Sequence, residues 1–323
     1  MSRNIRLSVS LALVGAIPLA AIPNVRSPFH WDRLTGQAAF PTGYNFPVHV
    51  ASDGKFVALH PEGTWTSTDG TTWTKSALPF SGTNAAYLPY LKHDGATYVF
   101  GSHKGNYLKY ELDNTVRKTT DYKTWTTVGR SSTLPKLIFY GTASFRGAMW
   151  IVGGYDGKES QSSVWRSTDG LNWTLAVARA PWSPRNGAKT FIFRDRLYII
   201  GGSLIDKPDA NDVWSSADGV NWVQETNEVA PERPFGYAPI VFRDRVFLIG
   251  ANRSGQFTSE MLFSSDGKRW QPVRAPWSPR GGVTAWSDSG AVYITGGKYS
   301  TVVNGETVFS YVNDVWRMKV ESM

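Results

Sequence analysis

The sequence predicts an all-β fold: a six-bladed β-propeller closed by an N-terminal strand that pairs with the last blade. Three observations predict it. The motif Ser/Thr-x-Asp-Gly-x-x-Trp recurs along the chain, once as the variant TTDYKTW (Thr119 to Trp125), with its tryptophans at Trp73, Trp125, Trp173, Trp222 and Trp270, spaced by 52, 48, 49 and 48 residues. An aromatic–aliphatic run, ending in glycine in all but the first repeat, precedes each copy. The last repeat lacks its final tryptophan segment, while an isolated Trp31 stands near the N-terminus. A period of this length is the mark of a repeat array in which each unit buries its faces against its neighbours.

Each repeat reads as four short strands. Strand a ends at a polar turn, written SDGK, HDGA, FRGA, FRDR, FRDR and SDSG in successive repeats. Strand b is the apolar run that follows: KFVALH, TYVFGS, MWIVGG, LYIIGG, VFLIGA and VYITGG. Short apolar runs bounded by turn residues suit a strand buried on both faces. The glycines at its end supply unusual backbone angles or close approach of neighbouring chains. Strand c carries a second tryptophan, eight residues before the first motif's, at Trp65, Trp165 and Trp214; Arg117 and Leu262 replace it in the second and fifth repeats. The Asp-Gly turn makes a tight hairpin into strand d, and the tryptophans fill the wedge between sheets. The sixth repeat stops after NDVWRMKV (Asn313 to Val320), with strand c present and strand d missing. Trp31, in Pro28-Phe29-His30-Trp31, completes it from the other end, and closing the ring removes the exposed sheet edges.

Residues 1–21 read as a secretory signal peptide. Arg3 and Arg6 precede the apolar stretch Leu7 to Ile22, which ends in small residues and is too short to span a bilayer. The expected organisation is signal peptide 1–21 and one propeller domain over 27–323, placing the protein outside the cytoplasm, secreted or periplasmic. The 323-residue chain has no cysteine, which excludes disulfides, thiolate metal sites and cysteine nucleophiles. Its formal charge is +8, of which the signal accounts for two, and its basic residues are mixed with acids rather than gathered in runs. That distribution points away from nucleic acid and remains compatible with an acidic sugar or an anionic surface.

The Gly-Gly after an aliphatic run, with its separated tryptophan, resembles the Kelch repeat of β-propellers, as in the central domain of galactose oxidase. The Ser-x-Asp-Gly-x-x-Trp hairpin resembles the Asp-box of sialidase-type propellers, one residue shorter than the usual Ser-x-Asp-x-Gly-x-x-Trp. The resemblance covers Phe29 to Val320. It implies that strand a lines a central channel, and that ligands meet the crown formed by the loops entering strand a and the loops between strands b and c. The missing cysteine sets the chain apart from the cysteine-linked copper site of galactose oxidase.

The loops entering strand a contain RAPWSPR twice, at Arg179 to Arg185 and Arg274 to Arg280, with APERPFGY between them. Arg185 and Arg280 each stand sixteen residues before a glycine pair. One reading gathers Arg185, Arg233 and Arg280 at the channel mouth to grip a carboxylate, with Trp182, Trp277 and Tyr237 offering surfaces for a sugar. The other uses the arginines to bind backbone carbonyls between blades and the tryptophans to pack blade ends. Glu159, in a polar b–c loop, is a further rim candidate and, with Glu306, a candidate acid/base. The once-per-blade aspartates Asp69, Asp121, Asp169, Asp218 and Asp266 read as hairpin caps. His60 and His103 alone do not make a metal site, and no cofactor or metal is expected. No P-loop, Rossmann, G-x-S-x-G or H-E-x-x-H motif is present. The expected role is a monomeric binding protein that holds a glycan or protein partner through its crown loops and channel mouth. The alternative, on resemblance to exported Kelch-type sialic-acid epimerases, is a mutarotase or epimerase of an acidic sugar.

Overall fold

The computed structural model describes residues 29–76, 88–106, 109–205, 207–253 and 256–319, and every regular element among them is a β-strand. The expected export signal lies outside the described residues. Six four-stranded antiparallel sheets form the blades of a propeller. Blade 1 comprises Val48–Val50, Phe56–His60, Gly63–Ser67 and Thr74–Lys75, and blade 2 Tyr90–His93, Ala96–Asn106, Lys109–Thr119 and Thr126–Arg130. Blade 3 comprises Gly141–Phe145, Ala148–Val152, Val164–Ser167 and Thr174–Val177, and blade 4 Lys189–Phe193, Arg196–Ile200, Val213–Ser216 and Trp222–Thr226. Blade 5 is built from Ala238–Phe242, Arg245–Ile249, Glu260–Ser264 and Gln271–Arg274. Blade 6 takes Thr284–Ser287, Ala291–Thr295 and Val315–Lys319 from the end of the chain and His30–Thr35 from its beginning. The closing pair is antiparallel, with His30 opposite Lys319 and Arg33 opposite Trp316.

The first strand of each blade (strand a) is innermost, and these strands adjoin one another in order from blade 2 through blade 6 to blade 1. Blades 1 and 2 meet through Lys92, whose ammonium donates to Val50 O at 2.8 Å, and through the His49 ring, stacked on Tyr122 and edge-on to Tyr90. The b strands Phe56–His60, Ala148–Val152 and Ala291–Thr295 are buried at every residue. A blade interior is covered on both faces by its neighbours, so these strands carry apolar runs rather than alternation. The glycine pairs after them sit in the left-handed region, Gly201 at φ 60° and Gly202 at φ 105°, and a Cβ on Gly202 would lie 2.9 Å from Ala188 Cβ. Only glycine turns the chain outward there without a clash.

The repeated hairpins share one hydrogen-bond set. In blade 3, Ser167 Oγ accepts from Gly170 N–H at 2.9 Å, and Asp169 Oδ1 accepts from Leu171 and Asn172 N–H at 2.9 and 2.8 Å. Trp173 Nε1–H donates back to Gly170 O at 2.9 Å, fixing the indole against Phe100 of the preceding blade. These N–H groups hold the hairpin carboxylates low: Asp169 is lowered to about 2, with burial opposing and the Asn172 backbone N–H the first of the hydrogen bonds that outweigh it.

Candidate functional site

The crown is formed by the loops entering the innermost strands and by the connections from b to c. The two RAPWSPR loops fold alike, and neither presents its arginine to a ligand. Arg185 is 1% exposed. Its guanidinium grips Asp212 with both arms, at 2.5 and 3.0 Å, and donates to Gly201 O and Ser183 O at 3.1 Å each. Arg280 is 2% exposed and repeats the arrangement on Asp314 at 2.5 and 3.1 Å, with Ser278 O at 3.2 Å. The sixteen-residue spacing to the glycine pair is the reach from the loop to the end of strand b, where the carbonyls of Gly201 and Gly296 accept. The expectation that these arginines bind a carboxylate ligand is therefore corrected: their carboxylates are internal, from the Asn-Asp-Val-Trp of strand c. Burial raises Asp212, and the hydrogen bonds and charge of Arg185 outweigh it, so that its pKa is lowered.

The aromatic candidates are corrected with them. Trp182 is wedged between Trp214 and Trp222, with ring centroids 6.0 and 4.6 Å away, and Trp277 sits between Trp31 and Trp316 at 4.5 and 6.1 Å. Both are buried, and neither offers a face to a sugar. Tyr237 is buried as well, and a Cβ on Gly201 would lie 2.3 Å from its hydroxyl. Burial raises the Tyr237 phenol above its ordinary range. Arg233 and Glu159 stay on the exposed crown. Arg233, in a left-handed turn at φ 47°, donates to Asp209 O at 3.0 Å. Glu159 ends a turn in which Asp156 Oδ1 accepts from the N–H groups of Lys158 and Glu159.

At the channel mouth the structure shows a feature that the repeat pattern concealed. A residue two or three positions ahead of the innermost strand adopts a left-handed conformation in five blades: Asn45, Phe139, Gly187, Gly236 and Gly282, with φ of 53°, 57°, 67°, 74° and 65°. Their backbones link neighbouring blades. Gly187 N–H donates to Phe139 O at 2.7 Å, Gly282 N–H to Gly236 O at 2.6 Å, and Asn45 N–H to Gly282 O at 2.9 Å. Three of the five in this collar are glycines and carry no side chain, with Tyr44 lying 3.1 Å from where a Cβ on Gly282 would stand and Phe235 3.5 Å from one on Gly187.

Below the collar, the six innermost strands contain no carboxylate; their ionisable residues are His49, Tyr90, Lys92, His93 and Lys189. Lys189 stands two residues beyond Gly187, at the crown end of its strand, opposite Ile200. At the matching level the neighbouring innermost strands begin with Gly141, Ala238 and Thr284, each opposite the residue before a glycine. Lys189 is half-buried, and its ammonium forms no hydrogen bond or ion pair among the described residues. Desolvation by the surrounding protein lowers its pKa below the ordinary lysine range. Desolvation also lowers His49, with the nearby Lys92 charge adding to the effect, to about 4. Sequence reasoning passed over Lys189 because it was looking for recurrence; the signal was a charge where sister strands carry small or neutral residues.

Three crown connections are β-hairpins rather than loops. Blade 5 adds a small sheet of Pro234–Phe235, Ala251–Arg253 and Gln256–Thr258. Strands b and c of blade 2 run on together to Asn106 and Lys109. In blade 6, Lys298–Val303 and Glu306–Tyr311 form a ribbon closed by Asn304-Gly305, both left-handed, as a tight two-residue turn requires. Lys298 lies over the rings of Tyr44 and Phe309 at 4.8 and 4.9 Å, and Tyr44 stacks on Tyr311. This ribbon holds Val302, Val303, Val308, Phe309 and Tyr311, five of the nine exposed large hydrophobic residues among those described; Val302 is 73% and Phe309 48% exposed. No group of three or more histidine, cysteine, aspartate or glutamate side chains that could hold a metal ion occurs among the described residues, and no helix there is long and apolar enough to cross a membrane.

A family model described as the DUF6242 beta propeller domain matches residues 20–322. Among solved structures, that of YjhT aligns with a TM-score of 0.67 at 14% sequence identity, covering 86% of this chain and 99% of that one, a likeness of fold. No curated protein matches the sequence.

Proposed function

The chain belongs to the DUF6242 β-propeller domain family, and from that footing we propose that it is an exported, Kelch-like binding protein that seats the acidic end of a glycan at the mouth of its central channel. The observation that carries this reading is Lys189. A half-buried ammonium without an internal counter-charge, on a wall that holds no carboxylate, favours an anionic guest. Gly187, Gly236 and Gly282 put no side chain of their own at the mouth, and exposed Arg233 and Glu159 stand on the rim. A thermal-shift screen against acidic and neutral sugars tests it, because only a compound that binds the native state raises the melting point. The expected result is a dose-dependent rise with an acidic sugar that disappears in Lys189→Met. A rise that survives Lys189→Met, or one produced equally by neutral sugars, would overturn the assignment.

A protein partner is the second reading, favoured by the apolar ribbon of blade 6. A patch of this kind on a soluble domain marks a contact surface. The catalytic alternative, mutarotation or epimerisation of an acidic sugar, loses Arg185 and Arg280, two of the three arginines expected to hold the carboxylate. It would draw its proton carrier from Lys189 or His49, and an anomeric-exchange assay on the wild type and Lys189→Met separates it from simple binding.

A further inference from the structure

Blade 2 departs from the repeat in its strand c, and a groove lies beside the departure. In four blades the central position of strand c carries a tryptophan, Trp65, Trp165, Trp214 or Trp316. Trp214 and Trp316 lie against the buried Trp182 and Trp277, next to the Arg185–Asp212 and Arg280–Asp314 pairs. Blade 2 has Arg117 at this position, and Thr115 where Asp212 and Asp314 stand. Beside them lies a cavity of about 380 Å³ lined by residues of the extended hairpin, the end of strand d and the following loop. Glu111, Asp113, Thr115 and Arg117 of strand c all line it, the pairing with strand b shifting register between Asp113 and Val116. Lys104 faces Glu111 across the hairpin, Ser102 faces Asp113, and Arg130 faces Thr115 from strand d. Lys136 completes the lining.

The balance of charge is positive. Lys104, Arg117, Arg130 and Lys136 oppose Glu111 and Asp113, and Arg130 lies 3.7 Å from Asp113. Desolvation lowers the Arg117 pKa; the Asp113 charge opposes this, while the like charge of Arg130 adds to it. Two guanidiniums that repel across a groove are relieved by an anion between them, and the guanidinium fork matches tetrahedral and planar oxyanions.

We propose that this groove is a second binding site, specific for an oxyanion group, a sulfate or phosphate ester carried on a larger ligand. It is independent of the channel mouth. The test is isothermal titration of the mature protein with sodium sulfate, sodium phosphate and a sulfated disaccharide, at constant ionic strength set with chloride. Arg117→Trp installs the residue that four sister blades carry and removes the charge without emptying the position; Arg130→Gln removes the second. Both are expected to weaken sulfate or phosphate binding at least tenfold while the melting temperature without ligand stays within a few degrees, and Lys189→Met is expected to leave this binding unchanged. Tighter binding of the sulfated disaccharide than of free sulfate assigns the site to a saccharide-borne group, and equal binding assigns it to the free ion. No binding by the wild type, binding unaltered in both arginine variants, or binding lost only in Lys189→Met would each overturn the proposal. Because the channel reading is probed by Lys189→Met and the groove by Arg117→Trp, the failure of one leaves the other standing.

Discussion

Arg185 and Asp212 show how a side chain that looks like a ligand anchor becomes part of the frame. The pair is bidentate, with the Arg185 side chain 1% and the Asp212 side chain 18% exposed. Such a pair adds little net stability over apolar residues of the same shape, but removing one member strands the other. Asp212→Asn is therefore expected to cost roughly 3 kcal/mol in urea unfolding, and the double replacement Arg185→Met with Asp212→Leu markedly less than that single change. His49 carries a second prediction. Its folded pKa of about 4 lies below the unfolded value near 6.5, so the unfolded chain binds the extra proton first as pH falls. The stability it contributes is complete above pH 6.5 and lost as pH drops toward 4. Between pH 7 and 4.5 the loss should be roughly 2–3 kcal/mol in equilibrium unfolding. His49→Phe, which keeps an aromatic ring against Tyr122, should flatten that part of the profile. At this scale the sequence was a poor guide. Arginine next to tryptophan and proline looked like a ligand site because its partner lies 27 residues away, on a strand that the loop reaches only after folding. Lys189 was invisible because nothing in Gly-Ala-Lys-Thr says that the strand faces a channel.

The hairpin joining strands c and d is the element whose sequence and structure agree most closely. Serine, aspartate and glycine each have one task in the turn, and the same bonds recur around Asp69, Asp169, Asp218 and Asp266. Tyr122 takes the glycine's place in blade 2 at φ 58°, the strained conformation being held by a 2.8 Å hydrogen bond between its hydroxyl and Thr97. Position within the ring decides what a turn glycine tolerates. Gly147 has φ 67° and open space around a Cβ, whereas Gly219 has φ 80° and Trp150 ring atoms 2.3 Å from a Cβ. Gly147→Ala should therefore cost about 1 kcal/mol of backbone strain, and Gly219→Ala several times more, because the indole of the adjoining blade must move. Thermal unfolding of the two variants checks the ordering. The crown ribbons were less legible than the blades: Val302-Val303-Asn304-Gly305 carries a hairpin signal, but a polar loop was expected because the residues around it were read for charge rather than for alternation.

For the whole molecule, the repeat was legible because every blade faces the same packing problem and meets it with the same residues. Closure was legible as well, because a missing strand at one end matched a spare tryptophan at the other. Trp31 is 8% exposed and meets Trp277 edge-on in the cluster between blades 5 and 6. Trp31→Ala is expected to cost roughly 3–5 kcal/mol, and deletion through Thr35 to leave the strand Val315–Lys319 with an open edge that self-associates, seen as higher-mass species on size-exclusion chromatography. The register of the closing pair has a further, mechanical consequence. His30 lies opposite Lys319, so a pulling force applied there draws on the same end of an antiparallel ribbon. The bonds between the strands run across them, and each pair takes the load only after the one before it has parted. The ring should therefore open like a zipper at low force, from His30 toward Thr35, although the same seam resists heat along its whole length at once.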